Sequence, residues 1–151
     1  MAMVQDNLIR QLGVAYDPGY ADGFELADAQ TELYAGGMAC LNVSTGLVVE
    51  ASDASGLMVL GCVQMDASDP TDTDTKVAVI RPGIYQYAQS GTTIDRKDIG
   101  KPVMVVDALT VTRDATSHNV CAGIVRDVDV DGVWVEQTVL AIASSGYRVG
   151  V

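Results

Sequence analysis

Residues 123–137 read "GIVRDVDVDGVWVEQ", and these letters allow two incompatible structures. Asp127, Asp129, Asp131 and Gly132 match the opening of a calcium loop of the EF-hand type. Counted from Asp127, however, the twelfth position is Thr138, where such a loop needs a bidentate Glu; Glu136 falls two residues short. The flanks also lack helical spacing. Every second residue is apolar instead, at Val128, Val130, Val133 and Val135, which is the period of a strand. Asp131-Gly132 then serves as a two-residue turn. In that register Val130 faces Val133, Val128 faces Val135, and Asp127 lies opposite Glu136. Asp129 and Trp134 share the other side, which the repelling carboxylates should leave wet. The segment is predicted to be a hairpin.

The same period runs through much of the chain. From Gly37 onward, short apolar runs ("GMACLNV", "LVVEAS", "GLMVLGCVQM", "KVAVIR", "IYQYA", "KPVMVVD", "LTV") alternate with turn residues such as Ser44–Gly46 and Pro82-Gly83. Short strands at this spacing predict an all-β fold, a compact barrel or sandwich of short antiparallel strands, and not βαβ units. At 151 residues the chain fits one domain. It is 48% hydrophobic with only eight aromatic residues (six Tyr, one Trp, one Phe), so its core must be mostly aliphatic.

Residues 1–35 break the pattern. They carry Tyr16, Tyr20, Phe24 and Tyr34, half of all the aromatics, spread between Gly and Pro turns without a sustained period. This composition suits either an irregular lead-in that packs on its own domain or, the sharper reading, an extended, irregular N-terminal arm whose four aromatics bind a partner subunit, followed by a β domain over residues 36–151. The β domain is then expected to fold without the arm.

Charge and residue inventory narrow the function. A formal net charge of −11 opposes binding to nucleic-acid phosphates or anionic membranes. Cys40, Cys62 and Cys121 are far apart, odd in number and set among apolar neighbours, so they are expected to be buried thiols of a protein made in a reducing compartment. The N-terminus lacks the basic-then-apolar design of a signal peptide, and the longest apolar runs are too short to span a bilayer. The single His, His118, sits in the polar loop "RDATSHN" and is expected on the surface. No nucleophile elbow, phosphate-cradling loop or paired zinc ligands occur, and no cofactor is implied. Carboxylates are the abundant functional group. Asp66, Asp69, Asp72 and Asp74 crowd one loop, where they suit either an oxygen-ligated ion or ordinary turns.

The run "VAVIRPGIYQYAQSGTTIDRKDIGKPVMVVDALTVTRDATSHNVCAGIVRDVDVDGVWVEQ" resembles a pattern in bacteriophage capsid cement, or head decoration, proteins. The matching elements are Val79-Ile80-Arg81, Gly83, Asp98-Ile99-Gly100-Lys101, Asp107, Thr110-Val111, and Ala122-Gly123-Ile124-Val125 through Val135. With the upstream "GGMACLNVSTGLVVEASDASGLMVLGCVQMD", the likeness covers about residues 36–137. Pro82 after Arg81, and Ala108-Leu109 where the family often has an acidic residue, depart from the pattern. The resemblance implies a virion structural protein made in the host cytoplasm. Such a protein binds the major capsid protein on the outer capsid surface as a homotrimer and performs no catalysis. A tail-associated, adhesin-like β module and a small carboxylate-dependent hydrolase are the rival readings.

Overall fold

The alternating runs become ten strands in the computed structural model, which describes residues 22–27, 32–68, 77–138, 141–142, 145–146 and 149–151. They are β1 (Asp22–Glu25), β2 (Met38–Asn42), β3 (Leu47–Glu50), β4 (Leu57–Val63), β5 (Val77–Arg81), β6 (Gly83–Ser90), β7 (Pro102–Asp107), β8 (Thr110–Thr112), β9 (Cys121–Asp129) and β10 (Gly132–Gln137). The first five form a sheet in the order β1-β5-β4-β2-β3, and the last five close into a barrel, β10-β6-β8-β7-β9. The fold is all-β, as its period-2 pattern predicts. Neighbours are antiparallel except for β6 and β8, which run parallel. Pro82, expected in a turn, carries the chain from the sheet into the barrel.

Strand alternation divides the apolar residues between two cores. In β2, Met38 and Cys40 point into a large cluster with barrel residues such as Tyr85, Tyr87, Val105 and Val135. Ala39 and Leu41, on the opposite face, join a second cluster with Leu26, Leu33, Val48, Val63, Ala78 and Ile80. The sheet is therefore apolar on both sides. It covers its second face by curling: Leu26, just past β1, bridges Val48 of β3, and the Ala27 amide donates to Val48 O at 2.8 Å. All three cysteines are buried and unpaired, as expected.

That curl moves the expected boundary at residue 35. β1 pairs with β5 through four residue pairs, from Asp22↔Ile80 to Glu25↔Val77. Leu26 and Leu33 are each only 1% exposed. Residues 22–27 and 32–35 thus belong to the β domain, because β1 pairs into the sheet and Leu26 and Leu33 fill its second core. Irregular spacing hid this, since β1 is only four residues long.

The β9–β10 hairpin forms, but two residues out of the expected register, with its turn moved back by one position. The turn is Val130-Asp131, and Gly132 pairs with Asp129, Val133 with Val128 and Trp134 with Asp127. A bulge then sets Val135 against Val125 and Glu136 against Ile124. Asp129 decides this: its Oδ1 accepts the amides of Asp131 (2.9 Å) and Gly132 (3.2 Å), drawing the chain around Val130. Gly132 has φ +158°, and a Cβ there would lie 2.5 Å from Tyr87 O. Val130 is consequently 99% exposed instead of facing Val133. On the outer face Asp129 is exposed, as expected, but Trp134 is not. Trp134 is 7% exposed and donates its Nε1 proton to Asp129 Oδ2 at 2.8 Å.

Candidate functional site

Surface loops carry the groups that chemistry or binding would need. Two of the four expected anchors, Tyr16 and Tyr20, lie outside the described residues. Phe24, in β1, is half-buried and packs against the second core, so it serves the fold. Tyr34 is exposed and its hydroxyl donates to Glu32 Oε2. That bond to a carboxylate, with the nearby negative charge, raises the Tyr34 pKa and keeps the hydroxyl protonated.

Tyr34 stands on the rim of a cleft of about 400 Å³ where the sheet meets the barrel. Leu33, Met38 and Val63 come from the sheet side, and the β7–β8 turn, Asp107–Thr110, comes from the barrel. The Met38 amide donates to Ala108 O at 2.8 Å and ties the two walls together. Glu50 and Asp107 add acid to a mostly apolar lining that also includes Tyr34 and Thr110. Such a surface can receive an apolar side chain flanked by donors.

The carboxylates fold loops. Asp53, in the β3–β4 connection, accepts Thr116 Oγ1 (2.9 Å) and the amides of Ser117 and His118 (3.0 Å each) from the β8–β9 loop. Burial alone pushes the Asp53 carboxyl up, but these hydrogen bonds outweigh it and hold its pKa below the ordinary value. His118, expected to be an ordinary surface residue, is partly buried and places Nδ1 3.0 Å from Asp53 O. Its carbonyl accepts the Val151 amide at 2.8 Å, so the chain's last residues are strapped to the same loop. Asp98 closes a capping box with Asp95 on the 3₁₀ turn Arg96–Asp98. Asp107 accepts the Leu109 amide (2.8 Å), Asp114 the Thr92 amide (2.8 Å), and Asp66 the Ala35 amide (2.8 Å).

Asp69, Asp72 and Asp74 lie outside the described residues, so the expectation for that loop stays where the sequence left it. Among the described residues, no group of three or more His, Cys, Asp or Glu is arranged to hold a metal ion. No helix among them is long and apolar enough to cross a membrane. Burial pushes the thiols of Cys40 and Cys62 up to about 12, which leaves them protonated and unreactive near neutrality. Asp107 and Asp129 accept an amide two residues ahead, a local signal that the sequence carries. Asp53 acts across 63 residues, which no local pattern could reveal. Comparisons with protein-family models, with curated proteins and with solved structures returned no match.

Proposed function

We propose that the chain is a structural virion protein that binds the outer surface of a phage capsid and cements or decorates its capsomers, without catalysis. The observation that carries this reading is the resemblance over residues 36–137, together with what its motif residues do. Asp98 caps the 3₁₀ turn, and Asp107 closes the β7–β8 turn. Gly123, at φ +146°, lies where any Cβ would overlap Glu136 O of β10. These residues shape one barrel, which supports reading the pattern as a fold signature. Carboxylates engaged by loop amides suit a scaffold better than general acid–base chemistry, which needs a carboxyl free to exchange protons with substrate.

In this reading the chain acts as a homotrimer on the major capsid protein, with Tyr16, Tyr20 and Tyr34 as contact residues. Large aromatics carry a disproportionate share of interface energy. The acidic charge keeps a crowded particle soluble. The direct experiment is co-sedimentation of the purified chain with phage heads prepared without it. Saturable binding at a fixed ratio to the major capsid protein supports the proposal. Absence of binding to heads, with binding to isolated tails, replaces it by the tail-associated alternative.

A further inference from the structure

Asp-Gly occurs twice in the chain, at Asp22-Gly23 and Asp131-Gly132, and Asn-Gly does not occur. An aspartyl bond to glycine is prone to rearrange, because no Cβ shields the following nitrogen. The glycine nitrogen attacks the side-chain carboxyl carbon of the aspartic acid. An N–Cγ bond forms, a Cγ–O bond breaks, and the amide proton leaves with the carboxyl hydroxyl as water. Water then opens the succinimide ring. Opening at the carbonyl attached to Cα leaves isoaspartate, whose backbone is one carbon longer.

At the β9–β10 tip Asp131 is exposed, and position 132 must be glycine, since a Cβ there would lie 2.5 Å from Tyr87 O. The labile pair is therefore tied to the fold. Both amides that flank the Asp131 Cα are held, however. The N–H groups of Asp131 and Gly132 donate to the same oxygen, Asp129 Oδ1, at 2.9 and 3.2 Å. That carboxylate is fixed in turn by Gln86 Nε2 on Oδ1 and Trp134 Nε1 on Oδ2, each at 2.8 Å. To attack, the Gly132 nitrogen must release its proton and its peptide plane must turn toward the Asp131 carboxyl. A bond to a carboxylate opposes both steps: it is stronger than one to a neutral acceptor, and the negative charge disfavours a deprotonated nitrogen beside it.

We propose that Asp131 is a latent site of isoaspartate formation, kept closed by the Asp129 carboxylate. Asp129 then has a chemical role besides setting the turn. Isomerisation would insert a carbon between the two amides that Asp129 gathers, and would undo the pairing of Gly132 with Asp129 and of Val133 with Val128. The other Asp-Gly pair supplies an internal reference. Gly23 sits within β1, paired with Val79 in the other sheet, where Asp129 has no influence.

The test is to age the full chain in warm neutral buffer and to locate isoaspartate by mass spectrometry with electron-transfer fragmentation. A free peptide of residues 127–137 is aged beside it. Isoaspartate at Asp131 should accumulate at least about tenfold more slowly in the chain than in the peptide, the effect of one charge-assisted hydrogen bond. Asp129→Asn keeps the side chain's shape but removes its charge, and should speed Asp131 several-fold while Asp22 keeps its own rate. Trp134→Phe frees Oδ2, leaves both amide bonds on Oδ1, and should age like the parent. Equal rates in chain and peptide, an unchanged rate in Asp129→Asn, or a Trp134→Phe rate as fast as that of Asp129→Asn would each overturn the proposal. Acceleration at Asp22 and Asp131 together would mean general loosening of the fold, and would overturn it as well.

Discussion

Asp53 and Thr116 are 63 residues apart in sequence, yet the Thr116 hydroxyl donates to the Asp53 carboxylate at 2.9 Å. With the amides of Ser117 and His118 on the same carboxylate, the bond fastens a loop of the sheet to a loop of the barrel. Asp53→Ala should therefore cost about 1–3 kcal/mol, the range for unsatisfied polar groups and hydrogen bonds to charge. Amide hydrogen exchange should rise first over residues 114–119. An unchanged denaturation midpoint with unchanged exchange would mean that the two units hold together without this contact.

The hairpin tip gives a second, local test. Asp129 accepts from Asp131, Gly132, Gln86 and Trp134, whereas Val130 between them is almost wholly in solvent. Asp129→Ala should destabilise by about 2 kcal/mol or more and alter Trp134 fluorescence. Val130→Thr should stay within about 0.5 kcal/mol of the parent, as ordinary surface changes do. EDTA should leave Tm unchanged, because the carboxylate's role here is met by protein donors. A calcium-restored fall in Tm would contradict this.

How legible these features are in the sequence depends on range. Val alternation announces strands, and the apolar settings of Cys40, Cys62 and Cys121 announce burial, because both follow from neighbours within a few residues. The hairpin register slips because Asp131-Gly132 resembles a tight turn, while Asp129 binds the amides ahead of it and moves the turn to Val130-Asp131. β1 escapes notice because its four residues are justified only by the second core that they help enclose.

Acid should loosen the molecule in a defined window. The carboxyls of Asp98 and Asp114 are held below the ordinary range, chiefly by the amides of Asp95 and Thr92 respectively, and Asp53 is lowered despite its burial. For a depressed carboxyl, the folded state gains stability above the unfolded pKa, near 3.9 for Asp, and loses it as pH falls through the folded pKa. Tm should be nearly flat from pH 7 to about 5 and then fall steeply below about pH 4. Asp53→Asn should flatten that acid limb. A Tm that rises on acidification would contradict the assignment.

Truncation separates the terminal residues from the sheet. Removing residues 1–35 deletes β1 and the buried Leu26 and Leu33, and loss of two such side chains should cost several kcal/mol, about 2–5 each. That variant should not fold cooperatively. Removing residues 1–21 spares every described strand and should leave a cooperative Tm near that of the full chain. If the shorter deletion also unfolds the protein, those residues belong to the core and are not available as a contact arm.

The most direct measurement is the location of the chain on intact particles, read by electron microscopy with gold-labelled antibody raised against the purified protein. A cement or decoration protein should label the outside of the head at regularly repeated positions and leave the tail bare. Label confined to the tail, or particles that carry none at all, would contradict a capsid role.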